Sequence, residues 1–309
     1  MKQVIPILKN RCRTATVLKE SALGVVVTVM NMKGGVGKTT VTAHLAGVTA
    51  RYLIKGKERR VLVIDYDPQF NLSQAYLPAK SYFEAETAKK TILSVLIDDD
   101  DDLDPYRLQV PGNHEPPKLS SVVTNVFSGT KARLDIVLST LDLMYAALGQ
   151  ATEDTRPIEE RFAKFISECR ENYDIIYIDC HPAGSLFTKT SLRNSDHVLI
   201  PVVPQRYAVR GIGLMTQFIS AKAVGGVPPK AHILFNSAPR SSISREEAEI
   251  RADSAYTPLC LTATLKKYKV FAEPEGGRGF VWASGKPYST EAFRNLLRVA
   301  EEFIGRVGA

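Results

Sequence analysis

The sequence predicts an α/β protein built as one doubly wound, mostly parallel β-sheet with helices on both faces. Three observations carry that expectation. Short β-branched runs alternate with helix-length amphipathic segments, the pattern of βαβ units. Several of these runs are apolar without interruption, as in Val61-Leu62-Val63-Ile64 and Ile175-Ile176-Tyr177-Ile178, which is what strands covered on both faces require. At 309 residues, 44% hydrophobic and 24% charged, the chain is long enough to bury a full core and too apolar to be disordered.

In chain order, the first strand is expected at 24–30, where four valines and a threonine follow Gly24, and it runs into a helix at 38–53. A second strand at 60–65 is followed by a helix-like stretch at 91–96. Residues 134–138 form the next strand, with helices at 141–148 and 158–170 after it. Strands at 174–179 and 197–203 lead to a long helix at 207–223, and strands follow at 231–236 and 259–264. The last element, 290–307, places Phe293, Leu296, Leu297, Ala300, Phe303, Ile304 and Val307 at helical spacing on one face. Its polar side mixes Glu291, Glu301 and Glu302 with Arg294, Arg298 and Arg306. A helix lying on anionic lipid wants a basic face instead, so docking onto the sheet is expected.

Two stretches fall outside this rhythm. Residues 98–131 open with the acidic run 98–102 and continue through Pro105, Pro111, Gly112, Pro116 and Pro117, which reads as a surface insertion or mobile lid. Residues 1–21 read as a basic N-terminal extension, too short for an independent DNA-binding domain, and 22–309 as a single domain. The net charge of +7 is unevenly spread. Residues 1–97 carry 15 basic and 6 acidic side chains, 98–200 carry 10 and 18, and 201–309 carry 15 and 9. Basic ends suit a polyanionic partner. Cys12, Cys169, Cys180 and Cys260 form no CxxC pair, which argues against a disulfide framework, a zinc ribbon or an iron–sulfur cluster and for a reducing compartment. No apolar run approaches the roughly 18–20 residues that span a bilayer, and the run at 4–8 is too short for a secretory signal. A cytoplasmic protein without a stable membrane anchor is expected.

The chemistry is concentrated after the first strand, in Asn31-Met32-Lys33-Gly34-Gly35-Val36-Gly37-Lys38-Thr39-Thr40. Strand, glycine-rich turn and helix N-terminus together make an anion site, because successive backbone N–H groups converge and the helix dipole favours negative charge. Gly34, Gly35 and Gly37 let the main chain approach phosphate oxygens. Lys38 is expected to bridge the β- and γ-phosphates, with Val36 and Thr40 also lining the nucleotide and the Thr39 hydroxyl ligating Mg²⁺. The cofactors implied are ATP and Mg²⁺. The pattern is KGGxGKT, not GxxxxGK[ST], since Met32 stands where the first glycine would be. A later strand, Tyr173 to Asp179, ends in a carboxylate as a Walker B strand does, which puts Asp179 near the Mg²⁺ water shell.

With its second lysine at Lys33, this loop resembles the deviant Walker A ATPases, the ParA/MinD family of partition and positioning proteins. The resemblance covers roughly residues 24–309, leaving 98–131 unmatched. It implies that Lys33 reaches across an ATP-bound homodimer to the partner's nucleotide, stabilising charge on the transferred phosphoryl group. Asp65-Tyr66-Asp67-Pro68-Gln69-Phe70-Asn71 is similar to the family's DxDPQxN segment, which implies that Asp67 positions the attacking water. Asp65 then orders the loop or belongs to the Mg²⁺ shell. Where the family continues Cys-Pro-Pro after the Walker B aspartate, this chain has Cys180-His181-Pro182, and Gly184 is a candidate hinge. Asn236 is a candidate for reading adenine, although an Asn closing a strand into a loop is equally consistent with its position. Residues 204–208 resemble the loop before the family's interface helix. By the same resemblance, the ATP dimer would bind double-stranded DNA non-specifically, with Arg210, Lys266, Lys267 and Lys269 as candidate contacts. A ParB-like adaptor would stimulate hydrolysis, and partition of a plasmid or chromosome, or positioning of another cargo on the nucleoid, would be the outcome. Two alternatives stay open: a MinD-like membrane-cycling ATPase and a metabolic P-loop enzyme.

Overall fold

The structure is a computed structural model that describes residues 23–98, 111–112, 115–147, 154–181, 186–206, 208–222 and 227–309. The N-terminal extension, most of the acidic and proline-rich part of 98–131, Gly184 and Tyr207 lie outside the described residues. Seven strands form one sheet: β1 (Val25–Val29), β2 (Arg60–Tyr66), β3 (Thr124–Ser128), β4 (Arg133–Val137), β5 (Ile175–Cys180), β6 (His197–Val202) and β7 (Lys230–Phe235). Their spatial order is β3-β4-β2-β5-β1-β6-β7. Every pairing is parallel except β3 with β4. The doubly wound, mostly parallel sheet expected from the sequence is the observed fold.

Helices α1 (Lys38–Arg51), α2 (Asn71–Tyr76), α3 (Ala79–Thr87), α4 (Ile92–Leu96), α5 (Leu119–Val122), α6 (Leu143–Ala147), α7 (Arg156–Asn172), α8 (Leu186–Arg193), α9 (Ala208–Lys222), α10 (Arg245–Ala252) and α11 (Ser289–Val307) complete the layers. Because side chains alternate across a strand, each strand feeds two cores. Val26, Ile64, Ile176, Ile178 and Ile200 pack under α4, α7, α8 and α9, whereas Val27, Val63, Ile175, Tyr177 and Leu199 pack under α1, α2 and α11. The terminal helix docks as its pattern predicts. Leu296, Ala300, Phe303, Ile304 and Val307 are buried, and each large apolar side chain stabilises the sheet face by roughly 1.5–3 kcal/mol. Among the described residues, no helix is long and apolar enough to cross a membrane.

Two expectations need correction. Residues 119–128, inside the stretch read as an insertion, supply α5, with Leu119 and Val122 in the core, and the antiparallel edge strand β3. An edge strand with half-exposed residues carries no apolar run, so nothing in its composition distinguishes it from a loop. Conversely, 259–264 is not a strand. A 3₁₀ turn covers Thr257–Leu259, and beyond it the chain meets β7 in a single isolated bridge, Cys260 with Ile233, and in the hydrogen bonds Leu261 N–H to Ile233 O and Leu265 N–H to Phe235 O, both 2.8 Å. Side chains take the other main-chain groups. Glu302 accepts from Thr262 and Ala263 N–H at 2.7 and 2.6 Å, and Arg251 donates to Leu261 O at 2.8 Å.

Three histidines are built into the cores as neutral rings. His44, on α1, lies fully buried with Nε2 3.2 Å from Phe271 O, and burial lowers its pKa to about 4. His197 and His232, on adjacent strands, meet ring to ring at 2.9 Å. Burial, reinforced by the neighbouring ring and the cations Arg306 and Lys230, lowers His232 to about 4 as well, and burial lowers His197. In the unfolded chain these rings protonate near 6.5, so between about pH 6.5 and 4 the unfolded state binds more protons. Their contribution to stability is complete above that window and lost as pH falls through it. Unfolding at about pH 5 should therefore take up protons, read by calorimetry in buffers of different ionisation heat, and His44→Gln should reduce the uptake.

Candidate active site

The site forms where β1, β2 and β5 end side by side, next to the point at which the chain order of the sheet reverses, the crevice that open α/β sheets use for ligands. Val29 pairs with Asp179, and Asp65 pairs with Asp179 from the other side. Strand pairing alone therefore brings the P-loop, Asp65 and Asp179 together.

The loop from Asn31 to Gly37 is held at both ends by amides. Asn31 is buried, donates from Nδ2 to Pro201 O at 2.8 Å and accepts from Lys33 N–H at 2.9 Å. Asn236 donates from Nδ2 to Val36 O and accepts from Ser237 N–H, both at 2.8 Å. Gly37 has φ of +85° and passes so close to this amide that a Cβ would lie 2.4 Å from Asn236 Nδ2. Only glycine fits the conformation and the space. Between these anchors Lys33, Gly34 and Gly35 are exposed, whereas Lys38 is buried at the start of α1.

Three carboxylates face this loop from the strand ends, and each is held differently. Asp179 is buried, accepts from Thr42 Oγ1 at 3.2 Å, and has its second oxygen, Oδ2, without a partner. Burial pushes its carboxyl up to about 7 and Asp67 adds to the rise, while the Thr39 hydroxyl, the Lys38 ammonium and Thr42 oppose it. Asp65 is fully buried and accepts from Ser73 N–H at 2.8 Å and Ser73 Oγ at 2.7 Å, both on Oδ2. Burial first, and Asp179 second, raise its pKa well above the carboxylate range. Asp67 is half-buried and, among the described residues, its carboxylate accepts only from its own turn, Gln69 N–H at 3.0 Å.

The geometry thus assembles Lys38, Thr39, Asp67 and Asp179 around one place and separates other expected partners from it. Asp65 orders α2 through Ser73 on Oδ2, while its Oδ1, like Oδ2 of Asp179, has no partner among the described residues, so its contacts leave both roles open. The Asn236 amide, a candidate for adenine, is engaged with the loop's own main chain. Beside Thr39 and Thr40 a cavity of ≈ 430 Å³ opens between α1, α2 and residues 271–275. Arg210 is exposed on α9, under one face of the sheet, while exposed Lys267 and Lys269, with half-buried Lys266, follow Leu265 on the other. His181 donates its N–H to Tyr66 O at 3.3 Å. Reading by motif misses Thr42, whose signal is its place one helical turn beyond Thr39. Ser73 and Ser139, which hold the Asp65–Asp67 turn, carry no motif.

Comparison with known proteins agrees with this arrangement. A family profile described as an AAA domain matches residues 24–223. An uncharacterised protein of Methanocaldococcus jannaschii is 29% identical over 281 residues, spanning 88% of this chain and 96% of its own. The sporulation initiation inhibitor protein Soj of Bacillus subtilis is 30% identical over 190 residues, 62% of each chain. Among solved structures, a plasmid partition protein from Borrelia burgdorferi superimposes with a TM-score of 0.60 at 19% identity, over 92% of this chain and 99% of that one. The pNOB8 ParA bound to nonspecific DNA gives 0.60 at 19% identity, over 93% and 99%. These structural likenesses speak to the fold. Together with the lysine-bearing loop, its flanking aspartates and the matched profile, they place the chain in the ParA/MinD family of P-loop ATPases with a deviant Walker A sequence.

Proposed function

We propose that the protein is an ATPase that dimerises around ATP, binds duplex DNA non-specifically in that state, and drives partition of a plasmid or chromosome, or positioning of another cargo on the nucleoid. A ParB-like adaptor would stimulate its hydrolysis. The observation that carries the reading is the pairing of an exposed glycine loop, tipped by Lys33, with a buried aspartate whose Oδ2 lacks a partner.

That orphaned oxygen is the test of fit for a divalent cation. An ionised carboxylate buried without a partner is costly, and the Asp179 carboxyl is acted on by the hydroxyl of Thr39, a hard oxygen donor of the kind Mg²⁺ takes. Thr39 would hold the ion directly and Asp179 through its water shell. When bound, the ion neutralises charge on the β- and γ-phosphate oxygens. The main-chain N–H groups of residues 34–38 and the Lys38 ammonium bind the phosphates. Asp67, whose carboxylate meets no other side chain in a hydrogen bond among the described residues and whose main chain is fixed, orients the attacking water and accepts its proton. Lys33, anchored at its N–H by Asn31 with its side chain in solvent, is available to a second copy's nucleotide.

DNA binding as a dimer suits the placement of the basic residues. Arg210, Lys267 and Lys269 are exposed, and pairing of two subunits would join such groups into a larger phosphate-binding surface. The similarity to a ParA bound to nonspecific DNA supports this reading.

The roles separate by variant. Lys38→Ala should abolish nucleotide binding. Lys33→Ala should bind ATP yet stay monomeric by light scattering. Asp67→Ala should bind ATP while its turnover falls about 10²–10³-fold, the usual effect of deleting one catalytic group.

Binding to unrelated duplex DNA, measured with ATP, with ADP and without nucleotide, should be tight only with ATP. Replacing three or four of the basic candidates should lower the slope of log K against log salt by about one for each phosphate that is no longer neutralised. Binding that is indifferent to nucleotide would sink the DNA-based reading and leave the ATPase reading standing.

A further inference from the structure

Asp67 is held by a residue that no sequence motif marks. Beyond β4 the chain runs beside the end of β2, and Ser139, with no exposure to solvent, donates from Oγ to Asp67 O at 2.7 Å. Its N–H donates to Ser73 Oγ at 3.0 Å, and Ser73 Oγ in turn donates to Asp65 Oδ2 at 2.7 Å. Its carbonyl accepts from Tyr82 OH on α3 at 3.0 Å. Every polar group of Ser139 is therefore used, and together they tie Asp65, α2, α3 and Asp67 into one buried network. Phe70 N–H also donates to Asp67 O, at 2.9 Å, so the carbonyl keeps a partner if the serine hydroxyl is removed. The Asp67 carboxylate, by contrast, bonds among the described residues only to Gln69 N–H within its own turn.

We infer that Ser139 is a positioning residue for the hydrolytic step: by clamping the Asp67 carbonyl it fixes where the Asp67 carboxylate stands, without touching nucleotide. The inference rests on the assignment of Asp67 to the attacking water. A carboxylate on a half-buried turn, held among the described residues only by its own turn, has its position set by the main chain beneath it. Small displacements of a catalytic group are expensive in rate even when binding is intact. The clamp lies on the side of Asp67 away from Lys38 and Thr39, so its removal spares the phosphate contacts.

The test is a double-mutant cycle on the full chain with Ser139→Ala, Asp67→Ala and the double variant. It reads ATP affinity, single-turnover hydrolysis and melting temperature. Ser139→Ala should bind ATP as the parent does and hydrolyse it about tenfold more slowly. In the Asp67→Ala background the same change should leave the residual rate unaltered, because the two residues act as one unit. Ser139→Cys, close in volume and a weak donor, should fall between parent and alanine and serves in the same cycle if the alanine variant does not fold. Parental hydrolysis by Ser139→Ala, or an equal loss in both backgrounds, overturns the inference while leaving Asp67 in its role. Parental hydrolysis by Asp67→Ala removes that role and the inference with it.

Discussion

The burial of two aspartates side by side, Asp65 on β2 and Asp179 on β5, is the constraint around which the rest of the molecule is arranged. Carboxylates in a low-dielectric interior disfavour their charged form and each other, and here both are register-paired neighbours in the centre of the sheet. The fold answers differently at each. Asp65 receives two donors from Ser73 and becomes part of the scaffold. Asp179 receives Thr42 and the nearby Lys38 and Thr39. Among the described residues each carboxylate keeps one buried oxygen without a partner, Oδ1 of Asp65 and Oδ2 of Asp179, and the two differ in their donors: Asp65 is tied to α2, Asp179 to the start of α1.

What is legible in the sequence is what the chain writes contiguously. The phosphate loop, the Asp67 turn and the Asp179 strand each fit within about ten residues, and strands buried on both faces announce themselves as apolar runs. The contacts that support them are not contiguous. Ser139 reaches Asp67 across 72 positions and Asn236 reaches Val36 across 200. Those meetings exist only because β4 lies beside β2 and because β7 ends near the loop, a consequence of strand order that no local pattern encodes. The short helix α10 does carry a local signal. Ser244 caps it by accepting from Glu247 N–H, a serine followed three residues later by glutamate, the spacing of a capping box.

The two amides at the ends of the phosphate loop show how a glycine-rich segment is kept from wandering. Gly35 and Gly37 both take positive φ, a freedom that would leave the loop with many conformations if nothing restrained it. Asn31 ties its start to β6, and Asn236 ties its end to β7. The loop is thus fixed by strands on one side of β1 while the aspartates it faces come from strands on the other. A shift between these two halves of the sheet would change the distance between loop and carboxylates without disturbing either group internally.

The far edge of the sheet has a consequence for how copies of this chain associate. Beyond β7 residues 260–265 occupy the carbonyls of Ile233 and Phe235, and the side chains of Glu302 and Arg251 take main-chain groups of residues 261–263 in turn. Growth by adding strand to strand, the route to persistent fibrous aggregates, is hindered at those positions. Self-association there would draw on side-chain surfaces, whose contacts form and release without remaking a hydrogen-bonded ladder.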